Sequence, residues 1–383
     1  MYFEQLFHLF LDKRSSMRII SKPIDLSVAE DLLISTAPLS DFLFLDIETT
    51  GLSADHNAVY LIGCVYHEPD GWNMIQWMDT TGNEEKEVLS SFLLFASRYP
   101  ILVHYNGDRF DLPFLRRRLE IHTLSRSIDA MKSLDLYKVI TPFRRLLGLS
   151  DYKQQTMEAL LGSGRVESES GGDLVRVYRK YIVDSDPELL ARLLAHNEAD
   201  VLGLLSLLPL LIYRDLENAS FHVRRAQANY YNDYDGARKE ELFLFFRLPR
   251  ALPAPVYASA DHCYVKIEGD EGILKIPLYT EVMKYFYANY KDYYFLPEED
   301  MAVHKYLASY VEKNHRVQAK PETCYTRKAG SFLPQWDLYR TPFFKRAYAD
   351  KELFFEFSDD CKKDRSFLSD YASYVFAHIK DSK

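Results

Sequence analysis

The stretch Phe42-Leu43-Phe44-Leu45-Asp46-Ile47-Glu48-Thr49-Thr50-Gly51-Leu52 runs from apolar residues into two carboxylates and then a turn. The apolar run reads as a buried strand. Side chains alternate along a strand, so Asp46 and Glu48 project to one face while Ile47 packs on the other. Two like charges side by side are costly without a counter-charge, and a divalent cation is the usual one. Gly51 permits a tight turn and a close approach to the main chain. Taken alone, the fragment is explained equally well as a strand ending in a solvated acidic turn.

Outward from this strand, Asn57–Tyr66 and Trp72–Met78 read as two more strands, joined through the turn Pro69-Asp70-Gly71. Short connections predict an antiparallel meander. Asn83–Arg98 has helical periodicity, Ile101–Tyr105 is a fourth strand, and a helix begins near Phe110. Ser133–Tyr137 is a candidate fifth strand. From Thr141 to Asn218 the pattern is mainly helical, and Asp186-Pro187-Glu188 is a helix start with Asp186 as N-cap. These elements predict an α/β fold in which a mixed sheet is flanked by helices.

Upstream, residues 1–39 read as a lead-in, with helices at Tyr2–Leu11 and Leu26–Ile34. Downstream, residues 219–383 form an aromatic-rich α+β region of unassigned role. Cys263–Ile267 and Ile273–Leu278 read as a hairpin, and Pro297–Lys313 and Ser366–Lys380 as helices.

The chain has 383 residues and a formal charge of −9. Residues 1–220 carry 22 Lys+Arg against 32 Asp+Glu, and the remainder 25 against 24. That balance argues against non-specific nucleic-acid binding by bulk charge, but allows a local groove beside metal-binding carboxylates. Four dispersed cysteines, with no Cys-x-x-Cys pair, argue against structural zinc and suit a cytoplasmic location. Neither a signal peptide nor a membrane-spanning segment is expected: the N-terminus has no basic region, and the apolar run Val201–Tyr213 is short and contains Pro209.

Two further acidic motifs follow. Asp111, in Asn106-Gly107-Asp108-Arg109-Phe110-Asp111, opens a helix after a strand, a frequent active-site position in α/β sheets and also a simple helix-dipole partner. In His196-Asn197-Glu198-Ala199-Asp200, His196 and Asp200 share a helical face, while Glu198 points elsewhere. Each is ordinary alone; the three in this order are not.

Together they resemble the DEDDh exonucleases of the ribonuclease H-like fold. Ser133-Leu134-Asp135-Leu136-Tyr137, Leu146-Leu147-Gly148-Leu149, Tyr178-Arg179-Lys180-Tyr181 and His196–Leu202 look like the YprB-like ribonuclease H-like family, over about residues 40–215. The resemblance implies a five-stranded sheet over residues 40–218 and metal-dependent 3′→5′ hydrolysis of single-stranded DNA or RNA. It implies two Mg²⁺ or Mn²⁺ ions held by Asp46, Glu48, Asp111 and Asp200, with Asp46 bridging them and His196 as general base. Such chemistry fits phosphodiester hydrolysis, which needs a strong nucleophile and neutralised oxygens.

Thr49, Thr50, Gly51, Leu52 and Asn106 are candidate substrate contacts, Leu52 by packing on a base. Asp135 reads as structural. Arg116-Arg117-Arg118, Arg144-Arg145 and Arg176–Lys180 are candidate phosphate contacts or solvated faces. The 28 Tyr and 24 Phe crowd the second half, where they serve as aromatic core or as stacking platforms for bases. Two other function classes stay open: a nucleic-acid-binding scaffold that retains the fold without turnover, and a small-substrate oligonucleotide phosphodiesterase.

Overall fold

In the computed structural model, which describes residues 17–125, 127–164, 171–217, 221–232 and 234–382, the opening stretch is strand β2 (Phe42–Thr49) of a six-stranded sheet. The other strands are β1 (Arg18–Pro23), β3 (Val59–Glu68), β4 (Gly71–Met78), β5 (Ile101–His104) and β6 (Lys132–Asp135). Their order is β1-β4-β3-β2-β5-β6. The meander β2-β3-β4 is antiparallel, whereas β5 and β6 add in parallel beside β2. All five expected strands are present, so the sheet is mixed as predicted. The sixth, β1, pairs antiparallel with β4 at the edge. It comes from the expected lead-in, where a short run ending in Lys22-Pro23 gives little strand signal.

Helices cover both faces: α1 (Glu85–Ala96), α2 (Asp111–Ile121), α3 (Gln154–Leu160), α4 (Gly171–Asp184) and α5 (Pro187–Ser206). On one face Leu43, Leu45 and Ile47 pack with Val88, Phe92 and Leu115 from α1 and α2. On the other, Tyr60 and Leu61 pack with Val177, Tyr178, Leu190 and Leu193 from α4 and α5. A register shift at Glu48/Thr49 brings Tyr60 to this second face, where it stacks on Tyr178 with ring centroids 4.0 Å apart. Asp186 caps α5, accepting the Glu188 N–H at 2.9 Å, and Pro187 opens the helix.

Several local expectations change. Leu26–Ile34 forms a helix only over Asp31–Ile34. The fifth strand stops at Asp135, whose carboxylate caps the short helix Leu136–Ile140. The Tyr2–Leu11 helix lies outside the described residues. The arginine triplet is engaged in ion pairs: Arg116 with Asp129, Arg117 with Asp55 and Glu120, and Arg118 with Glu85.

The chain divides into two units, Met1–Arg144 with Leu149–Arg214, and Arg145–Gly148 with Asp215–Lys383. The second is mostly sheet. Strands β7 (His222–Asn232), β8 (Arg238–Arg247), β9 (Val256–Ala260), β10 (Cys263–Glu268) and β11 (Glu271–Phe286) join antiparallel, and the expected β10-β11 hairpin is present. The C-terminal helix α6 (Arg365–Asp381) matches its expected position. Pro297–Lys313 is α-helical only over Lys305–Ala308. Pro297 to Asp300 form a turn, with Asp300 at φ +50°, between strands β12 (Tyr293–Leu296) and β13 (Met301–His304). No helix among the described residues is long and apolar enough to cross a membrane.

One buried ion cluster pins the first unit together. Glu85 accepts the Val59 N–H at 2.8 Å, Arg118 Nε at 2.7 Å and a second Arg118 nitrogen, with His122 Nε2 at 2.7 Å. Arg118 also donates to the Ala54 carbonyl, in the loop after β2. Burial alone would raise the Glu85 carboxyl; Arg118, His122 and the Val59 N–H outweigh it and hold it below the usual glutamate range. Glu85→Ala leaves a partly buried guanidinium held by the Ala54 carbonyl alone and the Val59 N–H without its acceptor, so it should cost about 1.5–3 kcal/mol in urea unfolding. A loss under about 1 kcal/mol would show that the cluster is solvated and dispensable.

Candidate active site

Asp46 and Glu48 share the sheet face covered by α5, and Ile47 lies in the opposite core, as their alternation requires. The helix carries the third motif over them. His196 Nε2 lies 2.9 Å from Asp200 Oδ2 and 3.6 Å from Glu48 Oε1. One turn of helix separates His196 from Asp200, so both reach the same strand end. Glu198 points away and pairs with Lys22 of β1 at 2.6 Å.

Asn197, fully buried, makes the join. Its Nδ2 donates to Asp46 Oδ2 at 2.9 Å, and its Oδ1 accepts from Gln76 Nε2 at 2.9 Å. Gln76 also donates to the Leu194 carbonyl of α5. Between Asp46 and Gln76 in the same cross-strand row stands Gly63. A β-carbon there would meet Asn197 Oδ1 at 2.1 Å. The missing side chain is what admits the amide, a usual reason for glycine inside a strand.

Asp111 arrives from the other side, at the first position of α2. β2 pairs with β5 only over Phe42–Phe44, and farther along the Ile47 N–H donates to the Asp111 carboxylate. The preceding turn is held by Asp135, which accepts the Asn106 N–H at 2.8 Å and the Tyr137 N–H at 3.0 Å. Buried His104 supports it too, with Nδ1 accepting the Gly107 N–H at 3.1 Å and Nε2 facing Ser133 Oγ at 2.9 Å. Asn106 sits at φ +61°, and its buried Oδ1 has no hydrogen-bond partner among the described residues.

The turn after β2 is partly self-satisfied. Thr49 Oγ1 donates to the Gly51 carbonyl at 2.9 Å, and Thr50 Oγ1 accepts the Ala58 N–H at 2.9 Å. A β-carbon on Gly51 would meet the Asn57 side chain at 2.6 Å. Leu52 is 86% exposed, which leaves its whole side chain available.

The electrostatics follow from the crowding. Burial, reinforced by Asp200, Glu48 and Asp111, holds the Asp46 carboxyl well above the usual aspartate range, with the Asn197 hydrogen bond pulling against it. Burial also pushes Glu48 up to about 7; His196 opposes the shift, and Asp200 and Asp111 add to it. Asp111 is pushed up to about 7 by burial, against two backbone N–H groups. Glu48, His196 and Asp200 offer ligand atoms that all lie within 4.8 Å of one another. The carboxylate oxygens of this set fit a divalent cation, the usual counter-charge for crowded carboxylates, with the imidazole beside them.

The fold agrees with what the chain is similar to. Residues 43–212 match the RNase_H_2 family of the RNase_H superfamily. These residues form an RNase H superfamily domain. A curated relative, uncharacterized protein YprB of Bacillus subtilis (strain 168), is 31% identical over 177 residues, 44% of this chain and 41% of the relative. The YprB-like resemblance read from the motifs is therefore borne out. DNA polymerase 1 of Aeropyrum pernix is 30% identical over 106 residues, 22% of this chain and 11% of that protein. The chain thus spans less than half the length of these curated relatives. Among solved structures, the family B DNA polymerase of Pyrobaculum calidifontis aligns at a TM-score of 0.36 and 14% identity, covering 66% of this chain and 35% of that one.

Within this RNase H domain, Asn197, Gln76, Gly63 and Glu85 were not singled out from the sequence. Gly63, isolated in the apolar run of β3, was the available sign that another element approaches closely.

Two outcomes test the site. Gly63→Ala should destabilise the domain by about 1–3 kcal/mol in urea unfolding, because Asn197 must leave its place; an unchanged midpoint would mean that the helix adjusts freely. In EDTA, stability should rise as pH falls from about 8 towards 5. Glu48 and Asp111 have folded-state values near 7, above their unfolded ones, so the folded form binds more protons in that window. Mn²⁺ at about 100 times its dissociation constant should add about 2.7 kcal/mol at pH 7.5 and remove most of that slope. Thermal melts without any Mn²⁺ response would rule out a metal site here.

Proposed function

We propose that residues 40–218 are a DEDDh-type, metal-dependent 3′→5′ exonuclease acting on single-stranded DNA or RNA and releasing nucleoside 5′-monophosphates. One observation carries the reading: Glu48, His196 and Asp200 converge within 4.8 Å, the adjacent Asn197 ties Asp46 to the same helix, and burial with the neighbouring carboxylates holds Asp46 and Glu48 above the usual carboxylate range. A fold without turnover gains nothing from that repulsion. The partial match to a DNA polymerase supports nucleic acid as the substrate class.

Asp46, Glu48, Asp111 and Asp200 would hold two Mg²⁺ or Mn²⁺ ions, which when bound supply a strong nucleophile and neutralise the reacting oxygens. The chain's own groups do the rest. His196 takes the proton of the attacking water as general base, and Asp200, 2.9 Å from Nε2, stabilises the imidazolium that results. Asn197 holds one Asp46 oxygen and leaves the other for an ion. Leu52 packs against the terminal base, on a turn shaped by Thr49, Thr50 and Gly51, and Asn106 Oδ1 accepts from the substrate.

The test is a time course on 3′- and 5′-labelled DNA and RNA oligonucleotides in Mn²⁺. A 5′ label should yield a descending ladder and a 3′ label an immediate mononucleotide. Asp46→Ala should abolish turnover. His196→Ala should slow it about 10²–10⁴-fold while keeping the Mn²⁺ stabilisation. Equal activity of wild type and Asp46→Ala would overturn the reading, and cleavage of dinucleotides alone would select a small-substrate phosphodiesterase.

A further inference from the structure

The sheet β7-β8-β11-β10-β9 of the second unit has two unlike faces. One is core: Leu242, Leu244, Leu274, Ile276, Val265 and Ile267 are buried. Helix α6 packs against β7, β9 and β10. Its own apolar residues are buried, and its Phe376 meets Phe221 at 5.0 Å.

The other face is built differently. Paired residues on antiparallel strands share a face, so the register can be read across it. One row runs Arg225, Phe245, Ile273, Lys266, Tyr257. The next places Phe243, Lys275 and Tyr264 side by side between Gln227 and Ser259. Two adjacent rows therefore hold four aromatic rings and three cations, and no carboxylate. The acids stand in the flanking rows, Glu241 on one side and Glu268 and Glu271 on the other. Lys266 pairs with Glu268 at 2.9 Å, and the Tyr257 hydroxyl donates to the same carboxylate. Arg225 and Lys275 have no carboxylate partner among the described residues; instead Arg225 lies 3.9 Å from the centre of the Phe245 ring, and Lys275 lies 5.2 Å from that of Phe243 and 5.4 Å from that of Tyr264. Phe243, Phe245 and Tyr264 are half-buried, and Tyr257 is 44% exposed.

A protein-interface core is depleted in lysine, whereas two of the three cations here are Lys266 and Lys275, and a merely solvated face would not carry four rings. Rings alternating with unpaired cations match a polyanion that carries flat bases: rings and guanidinium planes stack on bases, and the cations meet phosphates. We infer that this open sheet face is a binding platform for single-stranded nucleic acid. The inference rests on reading nucleic acid as the substrate class of the RNase H domain.

The test uses the full chain in EDTA, where no hydrolysis occurs, and fluorescence anisotropy of a labelled oligothymidylate of about 20 nucleotides. Phe243→Ala with Phe245→Ala should weaken binding at least about tenfold, and Phe243→Tyr with Phe245→Tyr should restore it. Arg225→Glu with Lys275→Glu, which leaves the rings in place, should weaken binding and flatten its salt dependence. Circular dichroism melts confirm that each variant is folded. The inference falls if wild type does not bind, if the alanine and glutamate pairs bind like wild type, or if duplex of the same sequence competes as well as single strand. Sheet-dependent binding without any Mn²⁺-supported hydrolysis would sink the exonuclease reading alone; hydrolysis with sheet-independent binding would sink this inference alone.

Discussion

The hydrogen bond from Asn197 to Asp46 joins the two halves of the candidate site. One half is a strand carrying Asp46 and Glu48; the other is a helix carrying His196 and Asp200. Backbone pairing cannot bring them together, because a helix and a sheet have no shared ladder. Side-chain packing sets their separation, and here a fully buried amide takes part, satisfied by Gln76 on one side and Asp46 on the other. Buried polar groups are tolerated only when paired, so this chain allows few alternative placements of the helix. Gly63 is the condition for it, since any side chain at that point would occupy the place of the amide.

The first unit sets stabilising polar contacts against a destabilising cluster. Crowded carboxylates oppose folding, and burial makes the opposition stronger. Around them lie arrangements with complementary charge or full hydrogen bonding. Glu85 gathers Arg118, His122 and the Val59 N–H, and through Arg118 it also fixes the loop after β2. Asp135 and His104 fix the turn that delivers Asp111. The parts that support the cluster keep their own charges and hydrogen bonds paired.

Much of this was legible in the chain. The alternation of Asp46, Ile47 and Glu48 predicted which side chain faces which layer, and the structure agrees. Asp186-Pro187 predicted the start of α5, and its i, i+4 spacing put His196 and Asp200 on one face. What escaped depends on partners remote in sequence. Glu85 reads as an ordinary acid in a first helical turn until Arg118 is placed beside it, and the arginine triplet, open between phosphate contacts and a solvated face, carries ion pairs to acids remote in sequence. Strand β1 has too weak a pattern to be found without β4 to pair with. Pro297–Lys313 kept a helical rhythm, but the turn at Pro297 to Asp300 makes a hairpin there.

The aromatic excess of the second half divides into two uses for the same reason that a strand has two faces. Phe246 and Phe221 serve the core under α6, whereas Phe243 and Phe245, one residue out of phase, cannot reach it. Their presence on the open face needs its own cause. Charge supplies one. The first 220 residues carry ten more acids than bases, and a cluster of carboxylates by itself repels a polyanion. On the exonuclease reading proposed above, cations elsewhere in the same chain would raise the local concentration of the strand. The balanced second half, with Arg225 and Lys275 free of acid partners among the described residues, is where the chain has cations to spare for that purpose.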